Sequence, residues 1–262
     1  MAGTTIWKGN IHFGHTDVPV KLHTAVREER IQFHLLHRRD QTRLRQQMVC
    51  AYEKQPVPAE EQSKGFEVED GKYVIVDPVE IDQTAPESSR MIEVHEFVKT
   101  GQIDPIFLDR LYYLEPDTQD IQDTQGKGYN ALLKALKELD VAGICTWTMR
   151  KRSYFGALQA RGKMLRLNTL RYADEVIPVA SLALEDVPLS EKELKIGSEL
   201  IEKMAAPFEP GKFKNEHQKK LQEMIEKKAR GEKIAVLVPR RLKPTESGQL
   251  LKVLEASLKK AA

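Results

Sequence analysis

Cysteine, aromatic residues and long apolar runs are all scarce in this chain, and each scarcity removes a class of protein. Two cysteines, Cys50 and Cys145, are too few for a disulfide framework, so a reducing compartment is expected. No stretch approaches 18 consecutive apolar residues, so no helical membrane span and no membrane partner are expected. The opening Met1-Ala-Gly-Thr-Thr-Ile-Trp-Lys-Gly9 lacks a basic start followed by an apolar segment, so no secretory signal is expected either. A cytoplasmic chain is the reading. At 262 residues it can form one large domain or two small ones around a substantial core.

Catalytic motifs are missing as well. Gly126-Lys-Gly-Tyr129 lacks the spacer and the Lys-Ser/Thr of a phosphate loop, and no Gly-x-Gly-x-x-Gly opens a helix. Glu69-Asp70-Gly71 resembles the Lys-x-Asp-Gly of nucleotidyltransferases, but Val68 stands two before Asp70, where a lysine nucleophile is needed. His34 and His37 point to opposite faces if the segment is a strand, and the same holds for His12 and His15. Cys50 has no second cysteine nearby to complete a zinc knuckle. No catalytic residue, no metal site and no cofactor are therefore expected. A nuclease using the carboxylates of residues 60–123 with a divalent metal stays open as an alternative.

Acid is absent where base is dense. Between Arg150 and Tyr172 the chain holds Arg150, Lys151, Arg152, Arg161, Lys163, Arg166 and Arg171, with no Asp or Glu. Tyr154, Phe155, Leu158, Leu165 and Leu167 are interleaved, so the strip belongs to a folded, half-buried surface. A cationic face of this kind suits a nucleic-acid backbone. A solvated strand face with counterions is the competing reading. Arg38-Arg-Asp-Gln-Thr-Arg-Leu-Arg45 is a second basic strip, in which a turn at Gln41-Thr42 would put Arg43 and Arg45 on one strand face. Arginine forks match phosphate oxygens. Lys8 joins the candidate DNA contacts, with Arg38, Arg39, Arg43, Arg45, Arg150, Lys151, Arg152, Arg161, Lys163 and Arg166.

The formal charge of +2 hides segregation. Residues 1–52 carry eight bases against four acids, residues 60–123 seventeen acids against five bases, and residues 212–233 eight bases against four acids. Acidic and basic faces can therefore be kept apart, so that an anionic partner binds on one side only.

Short β-rich runs at 30–36, 72–76, 91–98, 111–114 and 141–149 are separated by turn signals at Asp70-Gly71, Asp77-Pro78 and Asp104-Pro105. One helix is expected at 129–139, from Leu132, Leu133, Leu136 and Leu139. Many strands around one helix suggest a barrel or a strongly curved sheet. From Ser190 the period becomes helical: Ser190-Glu-Lys-Glu193 is a capping box, followed by Leu194, Leu200, Ile201 and Met204. Further helices are expected at 215–230 and 247–258, the last with Leu250, Leu254 and Leu258. Their one-sided stripes must dock on the barrel, a second subunit or a partner. The division expected is 1–189 as core and 190–262 as helical arm.

Several blocks together resemble the prokaryotic Ku family of DNA end-binding proteins. They are Ile6-Trp-Lys-Gly-Asn-Ile-His-Phe-Gly14 with Val18-Pro-Val-Lys-Leu22, then Phe33-His-Leu-Leu-His37 with Val49-Cys50. Ile103-Asp-Pro-Ile-Phe107 with Tyr112-Tyr-Leu-Glu-Pro116 follows, then Thr169–Glu175 and Phe208–Gly231. The likeness spans essentially the whole chain, and these blocks in this order are highly specific. Where the family often has Cys-x-x-Cys, this chain has Cys50 and Glu53. The resemblance implies an α+β fold with a β-barrel core and helical arms, forming a ring-shaped homodimer around duplex DNA. It also implies no catalytic activity, a place at the nucleoid, and recruitment of an ATP-dependent ligase, DNA ligase D, in non-homologous end joining. Leu194, Leu200, Ile201, Leu250, Leu254 and Leu258 are the candidate dimer or partner contacts. A duplex-binding module that does not thread DNA is the alternative.

Overall fold

The computed structural model describes residues 4–87, 89–118, 126–179 and 190–232. The chain divides into two compact units, Met1–Glu28 with His34–Val179, and Glu29–Phe33 with Ala180–Ala262. Strands β1 (Thr5–Phe13) and β2 (Thr16–Thr24) open the first unit. A hairpin of β3 (Lys64–Glu69) and β4 (Lys72–Val76) and a short helix α1 (Pro78–Gln83) precede β5 (Met91–Lys99) and β6 (Leu108–Pro116). Helix α2 (Lys127–Leu139) leads into β7 (Val141–Met149), β8 (Arg152–Arg161) and β9 (Met164–Leu170). Seven of these strands close a barrel in the order β1-β2-β6-β9-β8-β7-β5. Every pair in it is antiparallel except β1–β5, where Ile11 lies opposite Ile92 in parallel register. Closure leaves the barrel no free edge.

The strands around β8 show why the basic strip reads as half apolar. Tyr154 and Leu158 point to the core, opposite Trp147 on β7 and Leu167 on β9. Phe155 and Ala157 point outward, where Ala142, Leu170, Ile103, Phe107 and Leu108 form a second apolar cluster. The crossover from β5 to β6 lies over this outer face, so β8 is covered on both sides at its middle. Gly156 is required there: a Cβ would sit 2.3 Å from the Asn168 carbonyl oxygen and 2.6 Å from the Trp147 ring. Helix α2 plugs the barrel with Tyr129, Leu132 and Leu136. The Tyr129 hydroxyl donates to the Leu114 carbonyl (2.6 Å) and accepts from the Leu165 N–H (2.8 Å), tying β6 to β9 through the helix. Burial pushes that hydroxyl's pKa up.

The antiparallel registers sort the turns onto two ends. Gly14–His15, Gly162–Lys163 and the start of β7 lie at the end where α2 sits, and Leu136 and Lys137 share a cavity of 180 Å³ with Gln159–Gly162. The β7–β8 turn at Arg150–Lys151 lies at the other end, with the start of β6 and the end of β9.

Several expectations change. Residues 30–36 form no strand; only Leu36 makes an isolated bridge, to Arg43. Alternation without a neighbour to pair with is not enough to make a strand. Asp77-Pro78 and Asp104-Pro105 start helices: Pro78 opens α1 behind an Asp77 capping box, and Asp104 caps a 3₁₀ turn by accepting from the Ile106 N–H (2.9 Å). In the second unit, α3 (Glu191–Met204) and α4 (Glu216–Ala229) have no buried residue. The expected helix at 247–258 lies outside the described residues, and Leu250, Leu254 and Leu258 with it.

Candidate nucleic-acid interface

Folding splits the 150–172 strip into two groups and absorbs the rest. Arg150, Lys151 and Arg152 stand at the open end of the barrel. Arg161 and Lys163 stand at the end plugged by α2. Ten residues of β8 separate the groups, roughly 30 Å at strand rise. Arg150, Lys151, Arg152, Arg161 and Lys163 are all exposed. Arg166 and Arg171 are not free for a ligand in the same way. Arg166 is half-buried, with its guanidinium 5.8 Å from the Tyr113 ring centroid on neighbouring β6, a cation–π contact. Arg171 donates to the carbonyls of Ile106 (2.8 Å) and Leu108, holding the β5–β6 crossover onto the barrel.

Carboxylates compensate some candidates and leave others bare. Lys151 pairs with Asp82 of α1 (2.9 Å), and Lys8 lies 3.6 Å from Asp117, which Lys21 holds more closely at 3.0 Å. Among the described residues no carboxylate pairs with Arg38, Arg39, Arg45, Arg150, Arg152, Arg161 or Lys163.

The 38–45 strip forms a loop, not the strand pair expected. His37 N–H donates to the Thr42 carbonyl and Gln41 N–H to the His37 carbonyl (both 2.8 Å), so the turn is Arg38–Gln41. Gln41 takes the left-handed conformation with φ 59°. The Asp40 carboxylate ties this turn, accepting from the Thr42 hydroxyl (2.7 Å) and the Thr42 N–H (3.1 Å), and 2.8 Å from His37 Nδ1. The Thr42 hydroxyl, then the Thr42 amide and His37, hold its pKa below the usual carboxylate range. Arg38 and Arg39 project at the tip. Arg43 donates to His34 Nδ1 (2.9 Å), and Arg45 lies past the single bridge with no strand register to align it with Arg43. A second loop repeats the pattern: Cys50 N–H donates to the Gln55 carbonyl, Lys54 N–H donates to the Cys50 carbonyl, and Lys54 has φ 59°. Backbone amides of Glu53 and Tyr52 lower the pKa of the Cys50 thiol. Among the described residues no three His, Cys, Asp or Glu side chains are grouped to hold a metal ion.

Sequence reading passed over Arg90, which lines a cleft with Lys8 and Arg150, and Asp40. Arg90 sits between two acidic stretches and has no neighbouring base to draw attention to it. Asp40 looks like a blemish in a basic run but organises it. In the helical unit Leu194 and Ile201 are 62% and 72% exposed and Leu200 is half-buried, so the α3 stripe is largely uncovered within its own unit. No described helix is long and apolar enough to cross a membrane.

The described residues thus form a closed seven-stranded barrel capped by one amphipathic helix, with unpaired cations at both ends. Residues 12–196 match the Ku70/Ku80 beta-barrel domain, and the chain belongs to the Ku family. It is 71% identical over all 262 residues, and over the whole of both chains, to the non-homologous end joining protein Ku 2 of Geotalea uraniireducens. It is 36% identical to the Ku protein of Heliobacterium modesticaldum over 98% of this chain and 92% of that one. Against the Mycobacterium tuberculosis Ku protein the identity is 35%, covering 97% and 94%.

Proposed function

We propose that two copies of this chain close into a ring that accepts the end of duplex DNA, without regard to sequence, in non-homologous end joining. The carrying observation is the set of unpaired cations on a barrel of the Ku family. These side chains reach phosphates, which position a protein on DNA but carry no base information. The roughly 30 Å between the Arg150 and Arg161 groups is close to one turn of B-form DNA, about 34 Å. A duplex spanning the barrel from one end to the other would meet both groups on successive turns. The resulting work is non-catalytic: holding and aligning ends, and presenting them to an ATP-dependent ligase of the ligase D type at the nucleoid.

The uncovered stripe of α3 supports the second copy. A helix with Leu194 and Ile201 in water loses the burial that makes short helices stable. An exchanged arm covering these residues would close the ring and restore that burial, with residues 190–262 serving as the arm and 1–189 as the core.

Salt titration tests the contact surface. About 8 phosphates neutralised per dimer predict a slope of log affinity against log salt near −7. A slope near −2 would remove this interface.

A further inference from the structure

We propose that the cleft lined by Trp7, Lys8, Ser89, Arg90, Thr148 and Arg150 is a discrete phosphate-binding subsite, built to grip one phosphate group of a nucleic acid. This rests on the DNA-binding reading and deepens it by naming a pocket and its ligand. The cleft encloses about 340 Å³ at the open end of the barrel. Three cations line it and no carboxylate does. Among the described residues Arg90 and Arg150 pair with no acid, and Lys8 has only the 3.6 Å contact to Asp117, which Lys21 approaches more closely.

Each cation comes from a different segment, and two of those segments are held rigidly. The Arg90 carbonyl accepts from the Asn10 N–H (2.8 Å), fixing the entry to β5 against β1. That approach is possible because residue 9 is glycine: a Cβ there would lie 2.1 Å from the Arg90 oxygen and 2.3 Å from the Trp7 ring. Arg150 occupies a two-residue turn with φ 53°, a conformation that costs a non-glycine residue energy and persists where surroundings enforce it. Two guanidinium forks supply the charge-assisted donors a phosphate needs, and Lys8 lines the cleft with its ammonium 3.6 Å from Asp117 outside it. The Thr148 hydroxyl makes no hydrogen bond among the described residues, and the Ser89 oxygen accepts from the Met91 N–H (3.1 Å), leaving its own O–H to donate. The Trp7 indole forms an apolar wall on which a sugar or base can lie. Glu93, which lines the adjoining 270 Å³ cavity, bounds the site on the side away from Arg150. The phosphate can be an internal phosphodiester or a terminal 5′-monophosphate; both present the same anionic oxygens.

The test uses the full chain and two 30-base-pair duplexes differing only in a 5′-phosphate or 5′-hydroxyl. Arg90→Ala should weaken binding about tenfold and reduce the salt slope by about 2 for the two sites of a dimer. Lys72→Ala, removing a cation paired to Glu69 outside the cleft, should change affinity less than twofold. An equal loss on both duplexes assigns an internal phosphate, and a loss confined to the phosphorylated duplex assigns the end. Loss from Lys72→Ala matching that from Arg90→Ala, or no loss from Arg90→Ala, overturns the subsite. Unchanged thermal melting of Arg90→Ala, with Arg90→Lys retaining part of the affinity, separates lost contact from lost fold. A direct readout comes from Trp7 fluorescence titrated with deoxyadenosine 5′-monophosphate in a Trp147→Phe background. A saturable change abolished by Arg90→Ala supports the pocket even if the ring reading fails, and a flat titration rejects a site for a free monophosphate.

Discussion

Cys145 and Cys50 show how far one residue type can diverge within one chain. Cys145 lies in the barrel core, where burial pushes its thiol pKa to about 12. Cys50 sits in an open turn, where backbone amides stabilise its thiolate. Iodoacetamide at pH 8 should therefore label one thiol per native chain and two after denaturation. Two labelled thiols in the native state would mean that the barrel opens. Asp40 is the other informative residue. Its carboxyl is depressed by Thr42 and His37, so the turn's bonds are present above the ordinary carboxylate pKa and lost as pH falls through the lower folded value. Asp40→Ala should free the Arg38–Arg39 tip and weaken DNA binding several-fold with little change in melting. A large drop in melting temperature would instead make Asp40 a fold determinant.

At the scale of elements, the proposed DNA contacts of the β7–β8 hairpin loop would set stability against binding. Arg150 and Lys151 have φ of 53° and 61°, the pattern of a type I′ turn that favours an Asn-Gly pair. The double substitution Arg150→Asn with Lys151→Gly should stabilise the protein by about 1 kcal/mol and weaken DNA binding. A variant stabilised with unchanged affinity would show that the strain serves nothing here. Sequence patterns revealed the elements that carry strong local signals. Ser190 and Glu193 cap α3 as their spacing indicates, and Leu132 and Leu136 face the core. The strand expected at 30–36 failed because alternation describes a face and not the presence of a pairing partner. The 150–172 strip was legible as charge but not as geometry: the β8–β9 hairpin carries its middle, Arg161 and Lys163, to the end of the barrel opposite Arg150–Arg152. Arg90 could not be singled out at all, since its role depends on a backbone approach that Gly9 permits from far along the chain.

For the whole molecule, the uncovered α3 stripe and the bare cations make joint demands. Leu194→Asp with Ile201→Asp should convert a dimer to a monomer by sedimentation and abolish stable DNA binding, while the barrel keeps its melting transition. A dimer that survives both changes would place the interface elsewhere. Segregated charge makes orientation on DNA an electrostatic outcome, so affinity must fall steeply as salt rises. In the proposed ring, topology would supply the selectivity for ends. A closed ring can slide onto a free terminus but cannot mount a duplex without one. The decisive comparison is retention at moderate salt on linear plasmid, covalently closed relaxed plasmid, and linear plasmid with bulky caps at both ends. Binding to the uncapped linear form alone is the predicted result, and equal capture of closed circles would contradict threading outright.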